Sequence, residues 1–225
     1  PTMESFHEVD ERSDYFLFAK NSVITSVVST LLGLLIAAPA AYSMAFFRTK
    51  RTRDILMWML STKMMPAVGA LVPIYVMAQT AGLLDSLTAL IIVFTLSNLP
   101  IMVWMLYSGF KDIPPDILEA ARMDGAGPVR FFFDVLLPLS ATTIAALFVI
   151  QFIYGWNQYL WPLLVTTDES MYPVVIGIKR MISGGDAQTE WSAVMATAML
   201  AMIPPALVVI LMQKWFVKGL VDTEK

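Results

Sequence analysis

Long apolar segments follow one another along the chain, separated by short polar connections. They cover residues 21–47, 55–78, 87–110, 139–165 and 191–213. A membrane-spanning helix needs about 20 mostly apolar residues, and each segment is long enough. Barrel strands would instead alternate apolar and polar positions over about 10 residues. The pattern predicts an all-α, polytopic membrane protein, because a soluble fold would have to bury five helices that have no polar face.

The composition supports this prediction and removes other classes of protein. Apolar residues make up 57% of the chain and charged residues 15%, against about 45–50% and about 25% in soluble domains. Without any Cys there is no disulfide framework and no thiolate metal site, and His7 is the only histidine. The formal net charge of −3 gives no reason to expect nucleic acid as a partner. The lipid bilayer is therefore the expected surrounding.

The distribution of basic residues predicts the orientation. Ten fall on one side of the predicted spans: Arg48, Lys50, Arg51, Arg53, Lys111, Arg122, Arg130, Lys214, Lys218 and Lys225. Four fall on the other: Arg12, Lys20, Lys179 and Arg180. The richer side is expected in the cytoplasm, which places residues 1–20 outside. That external segment has seven charges and no apolar core, so we expect a further helix upstream, not a signal peptide.

One membrane domain, residues 1–225, accounts for the whole chain, with a cytoplasmic loop over 111–138 and an external loop over 166–190. The cytoplasmic loop is predicted to contain two short helices, because prolines at 114–115 and at 128 suit helix starts. Between them, Asp124-Gly125-Ala126-Gly127 predicts a turn that accepts positive φ at either glycine. A plain amphipathic connector lying against the membrane is the alternative.

The same loop carries a motif whose residues are spread over positions 119–138. Glu119-Ala120-Ala121 is followed after three residues by Gly125, and after nine more by Val135-Leu136-Leu137-Pro138. This resembles the EAA loop of permease subunits of binding-protein-dependent ABC importers, in which isoleucine is usual where Val135 stands. Residues 155–163 and the Lys214–Leu220 ending are similar to maltose-type carbohydrate permeases, and parts of the chain to glycerol-3-phosphate and polyol permeases.

The resemblance implies the type I ABC importer permease fold, with five spans visible and a sixth expected at the N-terminal side. It implies four kinds of partner: a second homologous permease subunit, two ATPase subunits, an extracytoplasmic solute-binding protein and the lipid bilayer. ATP and Mg are expected in the ATPase subunits, and no cofactor on this chain, which has no Gly-x-x-x-x-Gly-Lys-Ser/Thr motif. The implied cargo is a carbohydrate-class solute such as a sugar, a polyol or glycerol 3-phosphate.

By the same resemblance, the first loop helix couples the permease to the ATPase. The coupling residues are then Asp116, Glu119, Ala120, Ala121, Arg122, Asp124 and Gly125. The alanines keep the helix thin and Glu119 offers a charge to a partner cation. The alternative for Glu119 and Arg122 is a solvated pair within one helix.

Polar residues within the spans are candidates for the solute pathway, because polar groups facing lipid are costly. Gln151, Tyr154 and Gln158 are spaced to share one helix face, with Asn157 beside it. Asn98 precedes a proline in the third span. Tyr159 and Trp161 are expected in an interfacial aromatic belt, whereas Tyr154 suits the belt and the pore equally.

Lys63 is the only charge inside a predicted span, nine positions after Asp54, or roughly 13 Å along a helix. It could bind a phosphate, sulfonate or hydroxyl-rich solute. It could equally extend to the cytoplasmic surface or bond carbonyls freed by Pro66. Pro66, Gly69 and Pro73 predict that this span is bent or interrupted, while kinks are expected at Pro100 and at Pro204-Pro205.

Two other classes of function compete with an ABC permease. An ion-coupled or passive secondary transporter would need an ion or proton relay, yet the spans hold no Asp, Glu or His. A membrane enzyme would need a nucleophile or an acid–base pair at membrane depth, and none is evident in the sequence. No catalytic residue and no metal site is therefore predicted.

Overall fold

The computed structural model describes residues 9, 14–47, 50–65, 67–182 and 191–222. Helices dominate this part of the chain, and it contains no strand. The helices are α1 (Tyr15–Phe46), α2 (Thr52–Met64), α3 (Ala67–Thr80), α4 (Leu87–Lys111), α5 (Pro115–Met123), α6 (Pro128–Leu139), α7 (Ala141–Trp156), α8 (Leu160–Val165), α9 (Val174–Ile182) and α10 (Trp191–Asp222). A 3₁₀ turn covers Glu169–Met171.

Three of the described helices are long and apolar enough to cross a membrane singly. They are α1, α4 and the Trp191–Lys214 part of α10. Two further spans are obtained if α2 with α3, and α6 with α7, are each taken as one broken span. Between α6 and α7 the axis turns by 71°. The prediction of an all-α polytopic protein is confirmed.

Several predicted boundaries were wrong. Helix α1 begins at Tyr15, six residues before the start of the predicted span 21–47. The predicted span 139–165 stops at Trp156, and α8 is a separate short helix. The second span is interrupted, as predicted, between Met64 and Ala67. His7, Pro66 and the glycine-containing stretch 183–186 lie outside the described residues.

Prolines inside the remaining helices do not end them. Pro73 lies within α3, Pro100 within α4, and both Pro204 and Pro205 within α10. A proline removes one backbone N–H and frees the carbonyl four residues earlier, so such a helix needs another donor or a local distortion.

The chain divides into two compact units. The first comprises Pro1–Thr30, Ala67–Thr95 and Ile150–Leu211. In its core, four residues of α4 pack against Trp161 and Val165 of α8: Ala89, Leu90, Val93 and Phe94. The start of α1 also holds the loop after α8, because Asn21 Nδ2 donates to the Ser170 carbonyl at 2.8 Å and Ser22 Oγ accepts from the Val174 N–H at 2.9 Å.

The second unit comprises Leu31–Pro66, Leu96–Val149 and Met212–Lys225. Alanines of α1 pack in its core against large residues of α4 and α6, including Met102, Leu106, Phe110, Phe131 and Leu136. Small residues let the helices approach closely: a Cβ on Gly33 would lie 2.7 Å from Met102 Sδ. Helix α6 contains a π-helical segment, Phe132–Leu136, which nothing in the apolar pattern predicts.

Candidate functional site

Helix α5 is the predicted coupling helix, and it has an inner and an outer face. On the inner side, Ile117, Leu118 and Ala121 pack against the core of the second unit. None of its residues is fully buried. The outer face, defined as Asp116, Glu119, Ala120 and Met123, is exposed. The helix is therefore anchored by one side only, and its other side is open to a partner.

The turn after α5 has the hydrogen bonds of a Schellman motif. The Gly125 N–H donates to the Arg122 carbonyl at 3.0 Å, and the Ala126 N–H donates to the Ala121 carbonyl at 2.9 Å. This motif requires a left-handed residue, and Gly125 supplies it with φ of 77°. Gly127, in contrast, has φ of −71°. The turn was predicted, and the structure assigns the positive φ to Gly125 alone of the two glycines.

The alternative for Glu119 and Arg122 was a solvated ion pair between the two side chains within one helix. Within the described part of the chain these two side chains form no ion pair. An ion pair instead joins Arg130 and Asp134 of α6 at 3.3 Å, and both side chains are exposed. Asp124 lies at the C-terminal end of α5, where its N–H donates to the Ala120 carbonyl at 3.0 Å. Glu119 and Arg122 thus keep their charges available.

Met123 belongs to the outer face but was missed by the sequence analysis. It is 89% exposed at the last turn of α5, an unusual position for a large apolar side chain. The signal was present, because Met123 follows Glu119 and Ala120 by four and three residues and so shares their face.

Two predicted pathway residues meet in the second unit. The Lys63 Nζ donates to Asn98 Oδ1 at 3.2 Å. Asn98 is buried, whereas Lys63 is exposed at the last turn of α2. A lysine in that position also interacts favourably with the carbonyl end of its helix. The structure therefore brings a cation and an amide together at a helix break. Pro66, on which the carbonyl alternative for Lys63 depends, lies outside the described residues.

The other pathway residues are only partly placed as expected. Gln158 follows the end of α7, so it does not share a helix face with Gln151 and Tyr154, although its side chain hydrogen-bonds Tyr154. Gln151 is buried, and its Oε1 has no partner among the described residues. Asn157 caps α7, because its Nδ2 donates to the Ile153 carbonyl at 3.0 Å. The prediction that Gln151, Tyr154 and Gln158 share one helix face was wrong because the helix ends at Trp156.

Two tryptophans at and after the end of α7, Trp156 and Trp161, have structural contacts. Trp161 is 5% exposed and lies in the core of the first unit, so its predicted place in an interfacial belt was wrong. Trp156 Nε1 donates to the Ala201 carbonyl at 3.1 Å. That carbonyl faces Pro204 and Pro205 three and four residues later, neither of which has an N–H. Trp156 therefore supplies the donor that α10 lacks.

Comparisons with known proteins place this geometry in a family. The family described as "Binding-protein-dependent transport system inner membrane component" matches residues 25–222. The chain belongs to this family. It is a multi-pass transmembrane subunit of an ABC importer in the bacterial inner membrane, a permease and not an enzyme. Importers of this family work with an ATPase and a solute-binding protein.

Two similar proteins of other bacteria are named as glycerol-3-phosphate permeases. A chain of Pectobacterium atrosepticum, "sn-glycerol-3-phosphate transport system permease protein UgpE", is 44% identical over 215 residues, covering 93% of this chain and 74% of the relative. The protein of the same name from Brucella melitensis is 46% identical over 211 residues, covering 91% and 72%.

Two solved structures share the fold of the permease. One is described as a "bacterial ABC transporter involved in the import of the acidic polysaccharide alginate", with a TM-score of 0.77, 23% identity, and coverage of 94% of this chain and 79% of that one. The other, the MetNI methionine ABC transporter in inward-facing conformations, has a TM-score of 0.72, 19% identity and coverage of 88% and 92%. At these identities the similarity shows the fold.

The described part of the loop 166–190 of the permease is held by a carboxylate that the sequence analysis missed. Asp85 accepts from the backbone N–H of Thr167 and, at 2.9 Å, from that of Asp168, and the Thr167 hydroxyl donates to it at 2.8 Å. These bonds, the Thr167 N–H first, hold the pKa of Asp85 below its usual value. Asp85 has φ of 55°, a left-handed conformation that Asp tolerates. The Asp85 clasp, as we call this arrangement, closes the turn after α3 onto the loop after α8.

Proposed function

We propose that this permease forms one half of the translocation pathway for sn-glycerol 3-phosphate or a closely related anionic sugar, and that a second homologous permease forms the other half. The relatives named as glycerol-3-phosphate permeases, at 44–46% identity, support the solute class. The cation at Lys63 supports it independently, because a phosphate ester needs a positive partner on its route.

The energy is proposed to reach the permease through the cytoplasmic loop 111–138. Two ATPase subunits would bind ATP and Mg and receive the outer face of α5 in a cleft. The observation that carries this step is the one-sided packing of α5, with Ile117 and Leu118 anchored and Met123 open. Ala120 keeps the outer face narrow, and Glu119 and Arg122 offer charges at its edges. The Schellman turn at Gly125 fixes the direction in which the chain leaves the cleft.

Lys63 and Asn98 are proposed to contact the solute. The contact between Lys63 Nζ and Asn98 Oδ1 supports this proposal, because it places a cation and a buried amide side by side at the end of α2. Tyr154 and Gln158 are proposed further members of the pathway. The buried Gln151 and the capping Asn157 would support the adjacent helix end and not touch the solute.

Outside the membrane, a solute-binding protein is proposed to dock on the loop 166–190. Its described part is rigidly attached, because Asn21, Ser22 and the Asp85 clasp all hold it through hydrogen bonds. A firm platform suits delivery of solute to a fixed entrance.

The experiment is uptake into liposomes that contain the importer purified through a tag on this permease. Labelled sn-glycerol 3-phosphate, glycerol and maltose are offered with the binding protein outside and ATP inside. We expect uptake of the phosphate ester only with ATP, Mg and the binding protein. Uptake without ATP would overturn the ABC mechanism, and uptake of maltose in preference to the phosphate ester would overturn the proposed solute.

A further inference from the structure

A cavity of about 400 Å³ opens in the second unit, between the start of α2 and the end of α4. Three cations line it: Lys50, Arg53 and Lys111. All three are exposed, and no carboxylate lines the cavity within the described residues. Such a concentration of positive charge attracts an anion, and no residue of the transport pathway or coupling helix takes part in it.

The lining changes from charged to apolar along both helices in the same direction. On α4, Tyr107 and Trp104 follow Lys111 toward the helix interior at spacings of four and three, so the three share one face. On α2, Leu56 and Met57 lie one turn beyond Arg53. The cavity therefore has a cationic end, an aromatic middle and an apolar wall.

This gradient matches the membrane boundary. The ends of α2 and α4 that meet here are on the side that the positive-inside rule assigns to the cytoplasm. Trp and Tyr are favoured at headgroup level, where one end of the ring is apolar and the other wet. Trp104 is 42% exposed and Met57 56% exposed, so this wall faces the surroundings of the chain.

We propose that the cavity binds an anionic phospholipid of the inner leaflet. The phosphodiester lies among Lys50, Arg53 and Lys111, and the first part of an acyl chain runs along Leu56, Met57 and Trp104. Basic pockets between helices on the cytoplasmic side are suited to such headgroups. A free phosphate ester would use the cations but leave the apolar wall uncovered, and for this reason the occupant is a lipid and not the transported solute.

The test is lipid titration of the purified importer by native mass spectrometry, with phosphatidylglycerol and phosphatidylcholine as probes. The wild type is expected to retain phosphatidylglycerol preferentially. Arg53→Gln with Lys111→Gln is expected to weaken that retention roughly tenfold or more, since each basic residue near a headgroup contributes about a factor of five. The control, Arg51→Gln with Lys214→Gln, removes two charges of the same side from outside the cavity and is expected to change retention less than twofold.

Further measurements distinguish a bound lipid from other occupants of the cavity. Arg53→Lys with Lys111→Arg keeps both charges and is expected to keep the lipid. Equal retention by the cavity variant and the control variant would overturn the proposal. So would displacement of phosphatidylglycerol by equimolar sn-glycerol 3-phosphate, which would identify a soluble anion as the occupant. A photo-crosslinker at position 57 that captures a partner subunit and no lipid would overturn it as well. None of these outcomes depends on which solute the importer carries.

Discussion

At the scale of single residues, the two glycines of the loop 111–138 differ in their backbone conformation. Gly125 has a positive φ and Gly127 does not, while a Cβ on either would meet no atom within 4 Å. Any penalty for a side chain is therefore conformational, at about 1 kcal/mol for a left-handed residue.

We expect Gly125→Ala to loosen the end of α5 and Gly127→Ala to leave it unchanged. The measure is amide hydrogen exchange over 115–127 in the purified importer, where Gly125→Ala should accelerate exchange about fivefold, the equivalent of about 1 kcal/mol. Gly125→Asn should fall between the two, since Asn tolerates this conformation. Equal exchange in both alanine variants would contradict the assignment of the turn.

Trp156 offers a second prediction at this scale. Trp156→Phe leaves the Ala201 carbonyl without the Nε1–H donor, at an expected cost of about 1–3 kcal/mol for an unsatisfied buried acceptor. Thermal unfolding of the purified importer should occur at a lower temperature. Pro205→Ala restores an N–H four residues after Ala201, so the double variant should recover part of the loss. If the effects of Trp156→Phe and Pro205→Ala on the unfolding temperature simply add in the double variant, the two sites are independent. That result would contradict the prediction.

At the scale of elements, the outer face of α5 should govern coupling without governing folding. We expect Met123→Ala to reduce solute-stimulated ATP hydrolysis by the importer about tenfold. The reason is that a side chain buried at a protein interface contributes about 1–2 kcal/mol to binding. The matched control is Val129→Ala, since Val129 is also exposed in this loop, at 71%, but lies outside α5. Equal losses in both variants would argue against a specific role for this face.

The Asp85 clasp joins the turn after α3 to the loop after α8, and its contribution to stability is expected to depend on pH. The pKa of Asp85 is lowered in the folded protein by hydrogen bonds to its carboxylate. The Asp85 carboxylate therefore stabilises the folded protein fully above the ordinary Asp pKa of about 3.9. This stabilisation is lost as the pH falls through the lower pKa that Asp85 has in the folded protein. Asp85→Asn should lower the unfolding temperature at pH 7 and leave a smaller difference from wild type in strong acid. A difference that is constant with pH would contradict a role for the charge.

Elements whose ends are marked by local sequence signals could be predicted, whereas features that depend on tertiary packing could not. The start and the end of helix α5 were predicted, because Pro115 at its start and Gly125 after its end are local signals. The end of α7 at Trp156 was not, because Leu160–Val165 continues the apolar run as a separate helix that packs in the core of the first unit. The Asp85 clasp depends on contacts between residues far apart in sequence, and apolar periodicity records neither these contacts nor the π-helical segment of α6.

At the scale of the whole molecule, the proposed contact of Lys63 with the solute can be tested by comparing charged and neutral solutes. We expect Lys63→Met to reduce uptake of sn-glycerol 3-phosphate by about 10- to 100-fold, since a hydrogen bond to a charged group contributes about 1.5–3 kcal/mol. Any uptake of neutral glycerol should change little. Lys63→Arg keeps the charge and should retain part of the activity. Equal losses for charged and neutral solutes would assign Lys63 a structural role through Asn98.

The bond from Trp156 to the Ala201 carbonyl has a consequence for how this chain can diverge. The donor of an indole at 156 is needed while Pro204 and Pro205 leave that carbonyl without a backbone donor, and the prolines are best tolerated while a donor comes from another helix. In an alignment of homologous chains, the amino acids at 156 and 205 should therefore be gained and lost together, even though 49 positions separate them.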